Sequence, residues 1–145
     1  MISNGIREVD VFNIKKITMA KQIIFTKEAP APIGPYNQAV LIDNTLYVSG
    51  QIPLDPKNGM LIQGDIVHQT EQVMKNLEAV LKAAQMDFSN VVKSSIFISN
   101  MDQFALINEV YGNYFDEATA PARETVQVAR LPKDVDIEIS MIAIR

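Results

Sequence analysis

Cysteine is missing from this chain of 145 residues, which excludes disulfides, a thiolate nucleophile and any cysteine-based metal site. Its absence fits a reducing compartment, and a cytoplasmic location is the expectation. Histidine is almost missing too. His68 stands alone among polar neighbours and reads as a solvated helix residue, with no second metal ligand apparent. A serine nucleophile would have only this one ring to activate it. No run of Lys or Arg interleaves with aromatics, and 13 basic against 17 acidic residues leave a net charge of −4. That balance argues against a nucleic-acid partner. No apolar stretch approaches the length of a membrane span, and there is no internal repeat or low-complexity block.

What is present suits one compact domain with a real core: 48% of residues are hydrophobic. The slight excess of apolar residues would suit a subunit that hides a face against copies of itself. Residues 1–18 look detached from the rest. They mix Arg7, Glu8, Asp10, Lys15 and Lys16 with scattered apolar residues and lack the core of a secretory signal. They read as an N-terminal extension, mobile or adding one edge strand, ahead of a single domain over residues 19–145. Met19-Ala20-Lys21 resembles a start of translation.

Strands are expected over residues 22–26, 38–42, 45–49 and 91–99, with Asp43-Asn44 as a tight hairpin turn. Pro30, Pro32, Gly34 and Pro35 exclude regular structure before Tyr36, so a rigid loop ends on an aromatic ring. Ser49-Gly50 closes the third strand, offering a hydroxyl and an approachable backbone N–H, or simply a strand exit. Asp65 is the expected cap of a long helix. Its apolar stripe is Ile66, Val73, Leu77, Val80, Leu81 and Ala84. A second helix, capped by Asn100 or Asp102, carries Phe104, Ile107, Tyr111, Tyr114 and Phe115. Gly112 lies inside it, and Asn108 sits one step off the stripe, either a surface amide or a group reaching a cleft.

The C-terminal quarter holds the most chemistry. Residues 122–129 alternate, with Arg123, Thr125 and Gln127 on one face and Glu124, Val126 and Val128 on the other. A second strand is expected over residues 136–144. Turn formers between them predict a hairpin centred between Arg130 and Leu131, which would set Arg123 opposite Glu138. Such a pair is either a cross-strand ion pair or a guanidinium fork for a small carboxylate beside a carboxylate that positions water. The fold class predicted is α+β: a twisted, mixed, six-stranded sheet with two helices on one face and the other face in need of a cover.

Ile33-Gly34-Pro35-Tyr36, residues 48–53, Pro121-Ala122-Arg123, Leu131-Pro132 and Ile137-Glu138-Ile139 together resemble the reactive intermediate deaminase (Rid, or YjgF) family, from about Met19 to Arg145. The resemblance implies a chorismate-mutase-like fold, a homotrimer with clefts between subunits, and no cofactor or metal. It implies hydrolysis of 2-imino acids and their enamine tautomers, such as 2-aminoacrylate and 2-iminobutanoate, to 2-oxo acids and ammonia. Such compounds leak from pyridoxal-phosphate enzymes. By motif, Arg123 is expected to anchor the carboxylate and Glu138 to orient or activate water. Tyr36 is expected to line the cleft, Ser49 and Gly50 to form its floor, and Asn108 and Thr125 to contribute to substrate binding.

Three positions depart from the family pattern. Thr125 stands where many members carry cysteine, Glu124 where a small residue is usual, and Gln85 where a helix-ending glycine is common. An added carboxylate at Glu124 would weaken anion binding if it faced Arg123, but alternation points it away. Two other functions compete with the deaminase. One is a non-enzymatic binder or holdase chaperone, with which seven methionines are compatible. The other is RNA cleavage, which the acidic balance disfavours.

Overall fold

Residues 20–145 are described by a computed structural model; the expectation for residues 1–18 lies outside them. Six strands form one sheet: β1 (Lys21–Ile24), β2 (Ala39–Ile42), β3 (Thr45–Gln51), β4 (Val91–Ile98), β5 (Ala122–Gln127) and β6 (Ile137–Ile144). Two helices accompany them, α1 (Ile66–Ala83) between β3 and β4, and α2 (Phe104–Gly112) between β4 and β5. The expected α+β sheet with two helices is what the chain forms.

The strand order is β1-β2-β3-β6-β4-β5. The first three strands run as a meander, and Asp43-Asn44 makes the two-residue turn between Ile42 and Thr45, with Asp43 at φ 51°. The last two strands do not form the expected hairpin. β5 pairs parallel with β4, placing Arg123 beside Ser94, while β6 runs antiparallel between β3 and β4, placing Glu138 beside Phe97. Burial explains the correction. Alternate residues of β6 are fully buried, and such a strand belongs at the centre of a sheet. β5 is exposed along nearly its whole length and takes the edge. The helix α2 supplies the crossover that a parallel neighbour requires.

The core lies between the sheet and the helices. Leu46, Val48, Ile96, Ile98, Ile137, Ile139, Met141 and Ala143 meet Val73, Met74, Leu77, Val80 and Leu81 of α1, all buried. Residues alternating with these point to the other face, which no helix among the described residues covers. Ile23, Tyr47, Val126 and Ile144 stand there between 40% and 49% exposed. No helix among the described residues is long and apolar enough to cross a membrane.

The helix ends follow local chemistry. Asp65 caps α1, accepting from the backbone N–H groups of Val67 and His68 at 3.0 and 3.1 Å, and His68 is exposed with its ring 2.8 Å from the same carboxylate. Asn100 caps a 3-10 turn over Met101–Gln103 that leads into α2, rather than α2 itself. The helix ends at Gly112, so that glycine costs nothing in mid-helix, and Tyr114 and Phe115 reach the core from beyond the helix.

At the far end of α1, Met86 N–H donates to Leu81 O and Gln85 N–H to Lys82 O, both at 2.9 Å. These two bonds define a Schellman ending, with Gln85 in the left-handed position at φ 59° and Met86 buried against the helix. A side chain in that conformation costs about 1–2 kcal/mol. Gln85→Gly should therefore stabilise the protein by about 1 kcal/mol, read as a higher urea midpoint at unchanged m-value. A midpoint that stays put or falls would contradict this account of the helix end.

Candidate functional site

The edge strand β5 begins immediately after Pro121, and its first side chain on the helix-bearing face is that of Arg123. Its guanidinium is exposed but held. Arg123 Nη1 donates to Asn108 Oδ1 at 2.7 Å, so the amide on α2 reaches inward rather than standing free on the surface. The guanidinium carbon lies 5.7 Å from the Phe104 ring centre and 5.0 Å from that of Tyr111. Two aromatic faces and an amide thus fix a cation that lines a cavity of about 560 Å³. Tyr111, Gly112, Phe115, Glu117, Ala120 and Pro121 complete its lining with Asn108. Glu117 forms no ion pair with Arg123.

Tyr111 is itself anchored. Its hydroxyl donates to Ser94 Oγ at 2.9 Å beneath the helix, where Ser94 is fully buried. Burial pushes the phenol's pKa up, against the opposing effects of the Ser94 hydrogen bond and the Arg123 charge. The aromatic shelf of Phe104 and Tyr111 looks in the sequence like core stripe alone. Its only signal is the seven-residue spacing that stacks both rings on the helix face carrying Asn108.

Glu138 lies elsewhere. It belongs to the uncovered face of the sheet, so within one chain it is separated from Arg123 by the thickness of the sheet as well as by β4. The expected face-to-face pair does not exist in one subunit. Glu138 instead meets Gly50. The pairing of β3 with β6 slips between Val48 and Gln51, a bulge that brings the Gly50 backbone against the carboxylate. A Cβ on Gly50 would sit 2.7 Å from Glu138 Cδ and closer still to Oε1, so any side chain there must displace the Glu138 carboxylate. Partial burial pushes the Glu138 carboxyl above the ordinary glutamate value, and no charged neighbour contributes.

Around Glu138 opens a cavity of about 540 Å³ lined by Tyr36, Ser49 and Gly50. The proline-rich loop that carries Tyr36 is pinned by a single buried side chain, that of Gln38. Its amide accepts from Thr26 N at 2.7 Å and donates to the carbonyls of Thr26, Ala29 and Pro30 at 2.9–3.1 Å. Ile33 N–H donates to the Tyr36 hydroxyl at 3.2 Å. Ser49 Oγ donates to Asn37 O at 2.6 Å, tying the loop to β3. Tyr36, Ser49, Gly50 and Glu138 are thus brought together in one cavity, and Asn108 and Arg123 in another. Thr125 lines neither. It sits half-buried on the helix-bearing face, its hydroxyl without a partner among the described residues.

Glu124 turns to the uncovered face. There it pairs with Lys93 and accepts from Ser95 Oγ at 2.8 Å, bonds that hold its carboxyl below the usual range. This ion pair directs the extra carboxylate away from Arg123.

The family model for endoribonuclease L-PSP matches residues 26–145. The chain belongs to this family, which includes the Rid proteins. A RutC family protein of Pyrococcus horikoshii is 51% identical over 85% of this chain and 97% of its own length. A mouse protein named 2-iminobutanoate/2-iminopropanoate deaminase is 45% identical over 88% of this chain and 94% of its own. Among solved structures, a Rid family protein of Yersinia pestis is 46% identical. It superposes with a TM-score of 0.84 over 87% of this chain and all of that one. The family thus includes relatives named as imine deaminases as well as relatives known by family alone.

If Gly50 is glycine because Glu138 crowds it, Gly50→Ala should cost about 1–3 kcal/mol in urea unfolding. The cost should largely vanish in a Glu138→Ala background. Equal penalties in the two backgrounds would show that Gly50 answers to something else.

Proposed function

We propose that the protein hydrolyses 2-imino acids and their enamine tautomers, 2-aminoacrylate and 2-iminobutanoate among them, to 2-oxo acids and ammonia. The cleft that does so is closed by two copies of the chain within a homotrimer. The observation that carries this reading is the division of the site. Arg123 and Asn108 line a cavity on one face, while Glu138, Gly50, Ser49 and Tyr36 line a cavity on the other. A cation for a carboxylate and an acid for water are useful together only where one chain's first half meets another's second half. The uncovered sheet face with Tyr47, Val126 and Ile144 supplies a surface for such packing. Assembly would account for these apolar residues without a holdase role.

In this reading Arg123 grips the substrate carboxylate through N–H groups not engaged by Asn108. Glu138 accepts a proton from water as the water oxygen bonds to the imine carbon and the C=N electron pair moves to nitrogen. The carboxyl then returns the proton to nitrogen. That gives a carbinolamine; its hydroxyl proton passes through the carboxylate to the nitrogen, the C–N bond breaks as the carbonyl forms, and ammonia leaves. An enamine first gains a proton from water at C3, the carbon next to the one that bears nitrogen. An imine that already reacts with water needs orientation more than a strong nucleophile, consistent with a site that lacks thiol and activated hydroxyl.

The test is conversion of imines released by a threonine or serine dehydratase, followed as 2-oxo acid. The protein should outpace spontaneous hydrolysis. Arg123→Ala should lower kcat/KM by at least about tenfold, mainly through KM. Full activity in that variant, or a monomer by native mass spectrometry, would remove the proposal.

The pH dependence has a definite sign. With the guanidinium neutralised by substrate, burial is the effect that remains on Glu138, and the base works as its carboxylate. The kcat should therefore fall as pH drops, with a midpoint above the roughly 4.3 of a free glutamate. Glu138→Gln should flatten that limb, and a limb that persists would assign it to another group.

A further inference from the structure

We propose that Lys133 gives the Glu138 cavity a second anion-binding position, so that the site favours 2-imino acids whose side chain itself ends in a carboxylate. This inference rests on the reading above and names the substrate class of that same site.

The cavity of about 540 Å³ in a single chain is of the size that takes whole ligands. Its walls beyond Glu138 are largely apolar: Ile33 from the proline-rich loop, Ile52 and Leu54 after β3, and Pro132 before β6. The polar side chains in the lining are mostly committed. Gln38 holds the loop, Ser49 donates to Asn37, and Gln51 donates to the Ser49 carbonyl at 3.2 Å. Lys133 is the exception. It is the one cation in the lining, it is exposed, and it forms no ion pair or side-chain hydrogen bond among the described residues. Nor does it answer Glu138, whose pKa reflects burial with no charge beside it. Its ammonium is thus left without a partner among the described residues.

The backbone holds Lys133 where relaxed chain would not put it. Lys133 and Asp134 are consecutive non-glycine residues in the left-handed region, at φ 57° and 56°. Such conformations are costly and persist where the surroundings enforce them, most often at binding sites. Here Pro132 stiffens the entry, Leu131 and Val135 bury their side chains on either flank, and Asp134 clasps Arg130 through both guanidinium nitrogens Nε and Nη2, the latter at 3.0 Å. A ligand reaching from a carboxylate anchor past Glu138 along apolar walls would end on this ammonium. The chemistry that fits both ends is a dicarboxylic 2-imino acid.

Stable product analogues test this without turnover. The full-length protein is titrated calorimetrically with 2-oxoglutarate and with 2-oxobutanoate. Wild type is expected to bind the diacid at least about fivefold tighter, in line with one partly exposed charge pair. Lys133→Glu should abolish that preference while leaving 2-oxobutanoate within about twofold. Lys133→Asn, which tolerates the left-handed backbone, should lose the preference as well and so separates charge from conformation. An unchanged preference in Lys133→Glu, or equal weakening of both acids, overturns the inference. Binding of 2-oxobutanoate without any preference for the diacid sinks this inference alone, whereas failure of wild type to bind either acid sinks the deaminase reading with it.

Discussion

The placement of β6 between β3 and β4 is the constraint from which the candidate site follows. It is the strand with the most complete burial, and a central position is the only one that covers both of its edges. Once it is there, β5 must pair with the outer side of β4, in parallel, across α2. Strand parity then puts Arg123 on the helix-bearing face and Glu138 on the uncovered one. Arg123 and Glu138 therefore cannot meet within one chain. Packing at the centre of the sheet thus determines that the two cavities stand on opposite faces.

Each half is then built by local means suited to it. On the helix side, the guanidinium is immobilised by an amide and two rings, and the nearer ring is fastened to the sheet by a buried hydroxyl pair. On the other side a one-residue slip in pairing brings bare backbone against Glu138 and leaves it short of water and without a cation. The first half fixes a charge that is always present, and the second raises the proton affinity of a group whose charge can come and go. These are complementary preparations for binding an anion and moving a proton.

Much of this was legible in the chain and some was not. Hydrophobic period gave the two helices, the faces of each strand and the residues of the core, because burial is written directly into spacing. Asp65 and Asp43-Asn44 were readable because caps and turns depend on neighbours in sequence, whereas Gln85 stood out only against the family pattern. The pairing of β5 was not: period tells which way a side chain points, and not which strand lies beside it, so the turn formers of residues 130–135 suggested a hairpin. The Arg123–Asn108 bond and the shelf of Tyr111 depend on that crossover and were hidden with it. Lys133 was hidden for a different reason, since nothing in a Leu-Pro-Lys-Asp string announces two successive left-handed residues.

One further consequence belongs to β5 as a boundary. A strand at the end of a sheet offers its outer N–H and C=O groups to any passing chain, and proteins that leave such a rim long and greasy tend to stack into aggregates. This rim is six residues long, is preceded by a proline, and sets Arg123 and Glu124 side by side near its start. These two charges therefore discourage uncontrolled strand-to-strand growth, so that neutralising them would trade away solubility.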